Sequence, residues 1–178
     1  TALLAAILFG ASTPANKFLL AAAISPQQLA GLLYLGAALG VLPLLLFNHI
    51  SLWLRGINRK DSLYLTGAIV LGGVAAPLLL LFGLRLASAA SVSLWLNLEM
   101  AATLILGALL FRDHLTSYSW GAALSVLLGS LILSFHEQQA GGIAILFIAG
   151  ACLCWGFDNH LTALIDGLTN GYLSQRLK

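Results

Sequence analysis

A chain of 178 residues that is 60% hydrophobic and only 8% charged cannot clothe a water-soluble fold, whose usual charged share is about 25%. The net charge of +2 comes from scattered basic residues, which excludes the concentrated basic patch of a nucleic-acid binder. Most of this surface therefore has lipid as its solvent.

Six apolar spans run in chain order over 2–22, 26–48, 62–84, 88–111, 118–135 and 142–165. Runs of about 18 or more apolar residues are long enough to cross a bilayer. They lack period-two alternation, so helices are favoured over barrel strands. The expected fold class is all-α, a polytopic transmembrane helix bundle. Thr1 lies inside an apolar run, and Ala21-Ala22-Ala23 has the small residues of a cleavage site. No charged leader precedes it and similar spans follow, so the segment reads as a membrane span rather than a signal peptide.

Span one carries Lys17, with Asn16, Ser12 and Thr13 on adjacent turns. The lysine is either a snorkelling side chain whose ammonium reaches the headgroups or part of a solute site, in which case a pair with Glu99 would neutralise both charges. Pro14, Pro43 and Pro77 sit inside spans one, two and three. Each removes a backbone donor and is expected to kink its helix, although proline is also frequent in ordinary membrane helices. In span two Gly36 and Gly40, and in span five Gly121, Ser125 and Gly129, recur every four residues. That spacing lets helix backbones approach closely in lipid, and no chemistry is needed to explain it. Trp53 and Trp120 lie near predicted interfaces, where anchoring is the ordinary role of tryptophan.

The most informative residue is Glu99, near the centre of span four. A charged residue at that depth costs about 2.5–3.5 kcal/mol on insertion scales, so it usually faces the bundle interior. At helical steps of four its neighbours are Ser91, Trp95, Thr103 and Gly107, a stripe that is polar, aromatic or small and suits the wall of a water-filled cavity. Two roles are open for Glu99, a solute or coupling-proton site and a protonated carboxyl packed by hydrogen bonds. Span six carries a second polar cluster, Asp158, Asn159, His160 and Thr162. An Asp beside a His can relay protons, and the same cluster can serve as a structural network. No convergent partners make His160 a metal ligand, and Cys152 and Cys154, two apart in an apolar run, point to different sides of a helix and read as buried small residues.

The connectors carry the orientation. Arg55, Arg59 and Lys60 lie between spans two and three, and Arg112 between spans four and five. The connectors around Ser25–Gln28 and His136–Gln139 have no Lys or Arg, and Arg85 is the one basic residue on that side. The positive-inside rule then puts the 49–61 and 112–117 loops in the cytoplasm, with the start of span one on the same side.

Span six repeats features of span one. Phe9-Gly10 followed by Ser12, Thr13, Asn16 and Lys17 parallels Trp155-Gly156 followed by Asp158, Asn159, His160 and Thr162. Five helices separate the two starts, and an odd number makes the second unit begin from the opposite side of the membrane. That is an inverted-topology repeat, common among transporters that bind solute near the midplane.

Several stretches resemble the EamA-type proteins of the drug/metabolite transporter superfamily. They are Phe82-Gly83-Leu84-Arg85-Leu86-Ala87-Ser88-Ala89-Ala90, Asn97-Leu98-Glu99-Met100, Leu109-Leu110-Phe111-Arg112-Asp113-His114-Leu115 and Gly121-Ala122-Ala123. Phe9-Gly10 through Lys17 resembles the family's first-span motif, and Cys154 through Thr162 the start of its second half. The chain departs from the family in having Met100 where a proline is usual, which puts the kink of span four in doubt, and Arg112-Asp113 where Gly-Glu is usual. The resemblance implies a ten-helix fold of two inverted five-helix repeats, of which residues 1–138 are the first and 139–178 the start of the second, truncated in the tail Gly167–Lys178. It also implies a multi-pass protein of the bacterial inner membrane that exports or exchanges small metabolites or drugs by alternating access.

No Gly-x-x-x-x-Gly-Lys-Ser/Thr loop is present in the sequence, so energy is expected from a gradient rather than from a nucleotide. The expected partners are a small-molecule solute, protons as the candidate coupling ion, the lipid bilayer and, as an open possibility, a second copy of the chain. No cofactor is expected. The residues named for solute or coupling-ion binding are Glu99, Lys17, Asn16, Trp95, Thr103, Asp158, Asn159 and His160. The rival classes are a non-transporting receptor or assembly subunit and an intramembrane enzyme, the latter disfavoured because no His-Glu-x-x-His or paired-Asp motif occurs.

Overall fold

In the computed structural model the described residues are 2–47, 59–110, 116–134 and 142–176. Among them there are helices and no strands. The loop carrying Arg55 and the Arg112-Asp113 turn lie outside the described residues. Span one is helix α1 (Ala2–Ala21) and span two is α2 (Pro26–Phe47). Between them Ala23 turns the chain with a positive φ of 67°. The second helix is started by its own sequence. Ser25 Oγ accepts from the Gln28 amide at 3.3 Å while Gln28 Oε1 accepts from the Ser25 amide at 3.1 Å, a reciprocal capping box with Pro26 at the first helical position. Helices α1 and α2 run unbroken through Pro14 and Pro43.

Span three is not one regular helix. It opens as α3 (Arg59–Ala68), passes through a π-helical stretch at Ile69–Ala75, and closes as α4 (Ala76–Leu86). The cause is Pro77, which has no N–H to give to the turn before it. The chain absorbs this by widening the ladder, so that the Ala76 amide reaches back to Leu71 O, and α4 then begins afresh with proline in its first turn. Gly72 and Gly73 lie in the widened turn.

Span four is also in two pieces, α5 (Ala89–Trp95) and α6 (Leu98–Leu109). Ala87 is extended and Ser88 caps α5, its Oγ accepting from the Ser91 amide at 3.0 Å. At the break the bonds tighten to three-residue steps, from the Asn97 amide to Leu94 O at 3.2 Å and from the Glu99 amide to Leu96 O at 3.0 Å. The helical ladder is thus interrupted here, with Met100 standing where the resembled family usually has a proline. The stripe expected at steps of four is divided by this break, with Ser91 and Trp95 buried on α5 and Glu99 and Thr103 on α6. Span five is α7 (Ser117–Ser134), and span six lies in α8, which continues from Gly142 to Arg176, beyond the expected end at 165.

Helix α8 packs along both spans three and four, and the closest crossings sit at glycines. A Cβ on Gly83 would stand 2.9 Å from Ile148 Cγ1 and 3.3 Å from Ala144 O. One on Gly67 would meet Leu161 Cδ1 at 3.0 Å, and one on Gly156 would meet the Thr103 amide at 3.2 Å. These pairings fix directions: α8 runs antiparallel to span three and parallel to span four. The core lies at the first crossing, where Leu81, Leu84, Val92, Trp95, Ala144, Ile148 and Cys152 are buried together. Phe82 stacks on Phe147 beside it with ring centroids 5.7 Å apart. In lipid such contacts stabilise by close packing, since lipid tails are as apolar as the residues they would replace.

Among the described residues the glycine stripes singled out from spacing make no close crossing. Gly36, Gly40, Gly121 and Gly129 have nothing within 4 Å of a Cβ built on them. Large apolar residues such as Leu32, Leu39, Leu128 and Ile132 on the same helices are exposed.

Candidate functional site

The break in span four and the polar cluster of span six meet. An open groove of about 440 Å³ is lined by Leu96, Asn97, Glu99, Met100, Thr103, Leu104 and Asn159. Glu99 lies in the first turn of α6, where a carboxylate is favoured by the free amides of the helix start. Asn159 crosses from α8, its Nδ2 donating to Thr103 Oγ1 at 3.2 Å and to Glu99 Oε1 at 3.5 Å. His160 Nε2 is 2.8 Å from Thr103 O. Gly156 permits this by letting the α8 backbone lie against Ala102 and Thr103.

Asp158 points the other way, toward span three. Its carboxylate rests against Gly72 in the π-helical turn, in space that a side chain at 72 would need. Thr162 Oγ1 donates to Asp158 Oδ1 at 3.4 Å. The α8 cluster is thus divided, with Asn159 and His160 on span four and Asp158 on span three. Among the described residues no three His, Cys, Asp or Glu side chains converge as metal ligands would.

Lys17 does not pair with Glu99. Its ammonium donates to Leu84 O at 2.9 Å and to Arg85 O at 3.4 Å, the last carbonyls of α4, where a cation is favoured by the helix dipole. Thr13, Asn16 and Leu20 share this face of α1 and are buried. Lys17 and Asn16 therefore lie at the last turn of span three, away from Asp158 at its middle, and outside the groove. Trp95 is buried in the core one turn before the groove, and its carbonyl accepts from the Cys152 thiol at 3.8 Å.

The eight residues named from sequence are thus distributed over separate places. Glu99, Thr103 and Asn159 line the groove, His160 lies beside it on the Thr103 carbonyl, Asp158 faces span three, and Trp95, Lys17 and Asn16 lie outside it. Sequence reasoning missed Asn97 and Met100 as lining residues and Gly72 as the seat of Asp158. Asn97, two residues before Glu99, is a helix-start residue type in the middle of an apolar span, and it was the available signal. Gly72-Gly73 ahead of Pro77 was the signal for the irregular turn.

Residues 1–135 match the EamA-like transporter family. A similar protein is an uncharacterized transporter of Methanothermobacter thermautotrophicus, 31% identical over 116 residues, which are 62% of this chain and 34% of that protein. The chain thus spans about a third of the length of the relative it matches. No solved structure matches it. The breadth of the family match, with a helical bundle whose long apolar spans bear polar residues at their crossings, settles membership: this chain belongs to the EamA-like transporters, integral multi-pass membrane proteins of the drug/metabolite transporter superfamily.

Proposed function

We propose that the chain forms the first five-helix repeat and the opening helix of the second in a ten-helix secondary transporter that exports or exchanges a small solute by alternating access. One observation carries the reading. Glu99 from span four and Asn159 from span six converge on an open groove beside a broken helix, which is where transporters of inverted-repeat design hold solute. The helix directions support the repeat. Lys17 near the end of α1 reaches the end of α4, so span one runs parallel to span three, whereas α8 runs antiparallel to it. Spans one and six thus face opposite ways, as inverted partners must.

In this reading Glu99, Thr103 and Asn159 line the solute path, and Asp158 with Thr162 is the candidate site for a coupling proton. Lys17 and Asn16 hold span three in place. The scattering of basic residues in the sequence favours a cytoplasmic start of span one, and the bacterial inner membrane is the proposed home. The test is flux. The full-length protein reconstituted in vesicles moves solute down an imposed proton or solute gradient, and Glu99→Gln slows it severely. A protein that moves nothing in a broad solute screen is a receptor or assembly subunit instead.

A further inference from the structure

The groove has a chemical character that narrows its ligand. Among the described residues Glu99 is its one ionisable lining residue. Among the donors around it, Asn159 Nδ2 is held by Thr103 and Glu99, and Asn97 Nδ2 gives one N–H to Leu94 O at 2.9 Å. Each amide keeps its oxygen as an acceptor for anything in the groove, and Asn97 keeps a second N–H. Lys17, the cation of span one, is held on the Leu84 and Arg85 carbonyls and does not serve as counter-ion. The remaining wall is apolar, from Leu96, Leu104 and the exposed thioether of Met100, a side chain that adapts its shape to different bodies. The volume of about 440 Å³ falls in the range of about 300–1,000 Å³ common for small-molecule sites.

We infer that the groove takes a small organic monocation, with an ammonium group on Glu99 between the amide oxygens of Asn97 and Asn159 and the apolar body along Leu96, Met100 and Leu104. An acceptor-rich, negatively charged site repels carboxylates and phosphates. It also leaves a half-buried carboxylate that an ammonium neutralises with charge-assisted hydrogen bonds. This inference deepens the transport reading and rests on it for the solute path.

The experiment compares three probes of one shape on the full-length protein in detergent by titration calorimetry: phenethylammonium, 2-phenylethanol and 3-phenylpropionate. The ammonium is expected to bind about tenfold or more tightly than the alcohol, as a charge-assisted bond allows, and the carboxylate not at all. Glu99→Gln should abolish that preference. Asn159→Asp, which adds a second carboxylate, should tighten ammonium binding and serves where Glu99→Gln does not fold. Equal binding of the three probes, tighter binding of the carboxylate, or ammonium binding unchanged in Glu99→Gln and in Asn159→Asp would overturn the assignment. The two readings fail separately. Glu99-dependent flux of neutral or anionic solutes alone removes the cation and keeps the transporter, whereas ammonium binding without flux of any solute removes the transporter and keeps the site.

Discussion

The carboxylate of Asp158 is seated on the backbone of Gly72, at the point where span six crosses the widened turn of span three. A Cβ at position 72 would come within 2.7 Å of Asp158 Cβ and closer still to the carboxyl group. Overpacking of this kind costs about 1–3 kcal/mol. Gly72→Ala is expected to lower the melting temperature of the full-length protein in detergent. Asp158→Gly placed on top of it removes the facing Cβ as well as the carboxyl and should recover part of the loss, since the two side chains compete for one space. Additive losses in the double variant would refute the contact.

Lys17 ties span one to the end of α4 through two main-chain carbonyls. Hydrogen bonds to charged groups contribute about 1.5–3 kcal/mol, and a half-exposed donor belongs at the low end. Lys17→Met should therefore destabilise by about 1.5 kcal/mol in thermal denaturation, with Lys17→Arg milder. Ammonium binding at Glu99 should not change in either variant. A loss of that binding comparable to the loss in Glu99→Gln would restore the direct pair that the structure does not contain.

The break in span four makes proline tolerable at an unusual depth. The Met100 amide donates to Asn97 O at 3.2 Å within the first turn of α6, so Met100→Pro removes one bond, about 0.5–1.5 kcal/mol. Leu104→Pro, farther along the same helix, meets the full cost of an interior proline, about 3 kcal/mol or more. Expression level and thermal stability should rank Met100→Pro well above Leu104→Pro. The reverse order would mean that α5 and α6 form one continuous helix.

Thr103 offers two different handles to span six, its hydroxyl to Asn159 and its carbonyl to His160. Thr103→Val removes the first and spares the second. The expected result is a rise of about twofold to tenfold in the KM for solute, the size of one neutral hydrogen bond, with little change in melting temperature. Thr103→Ser should behave as the parent. A stability loss with KM unchanged would assign the threonine to packing alone.

The outline of the bundle was legible because apolar length is set by the bilayer. Ala2–Ala21 and Pro26–Phe47 lie where their hydropathy placed them, and Ser25-Pro26-Gln27-Gln28 announced its own helix start. The irregularities were harder to read. Pro77 was visible, but whether it would kink span three or widen its turn depended on how α8 packs there. The glycine stripes say where a backbone can come close, not which helix will come. Among the described residues nothing lies against Gly36 and Gly121, while Gly72, Gly83 and Gly156, outside any regular stripe, take the contacts. For the site, Glu99 stood out by its cost in lipid and Asn159 by its neighbours. Lys17 misled because two charges invite pairing, while the carbonyls at the end of a helix, which carry no signal in sequence, were its actual partners.

At the break in span four the Glu99 amide bonds Leu96 O, and the Trp95 carbonyl receives the Cys152 thiol at 3.8 Å. A thiol is a feeble donor beside an amide, so this contact adds little stiffness to the joint. What holds the two helices together at the joint is the burial of Trp95 and Cys152 side by side in the core, so a change in the volume of either residue reaches the wall of the groove directly.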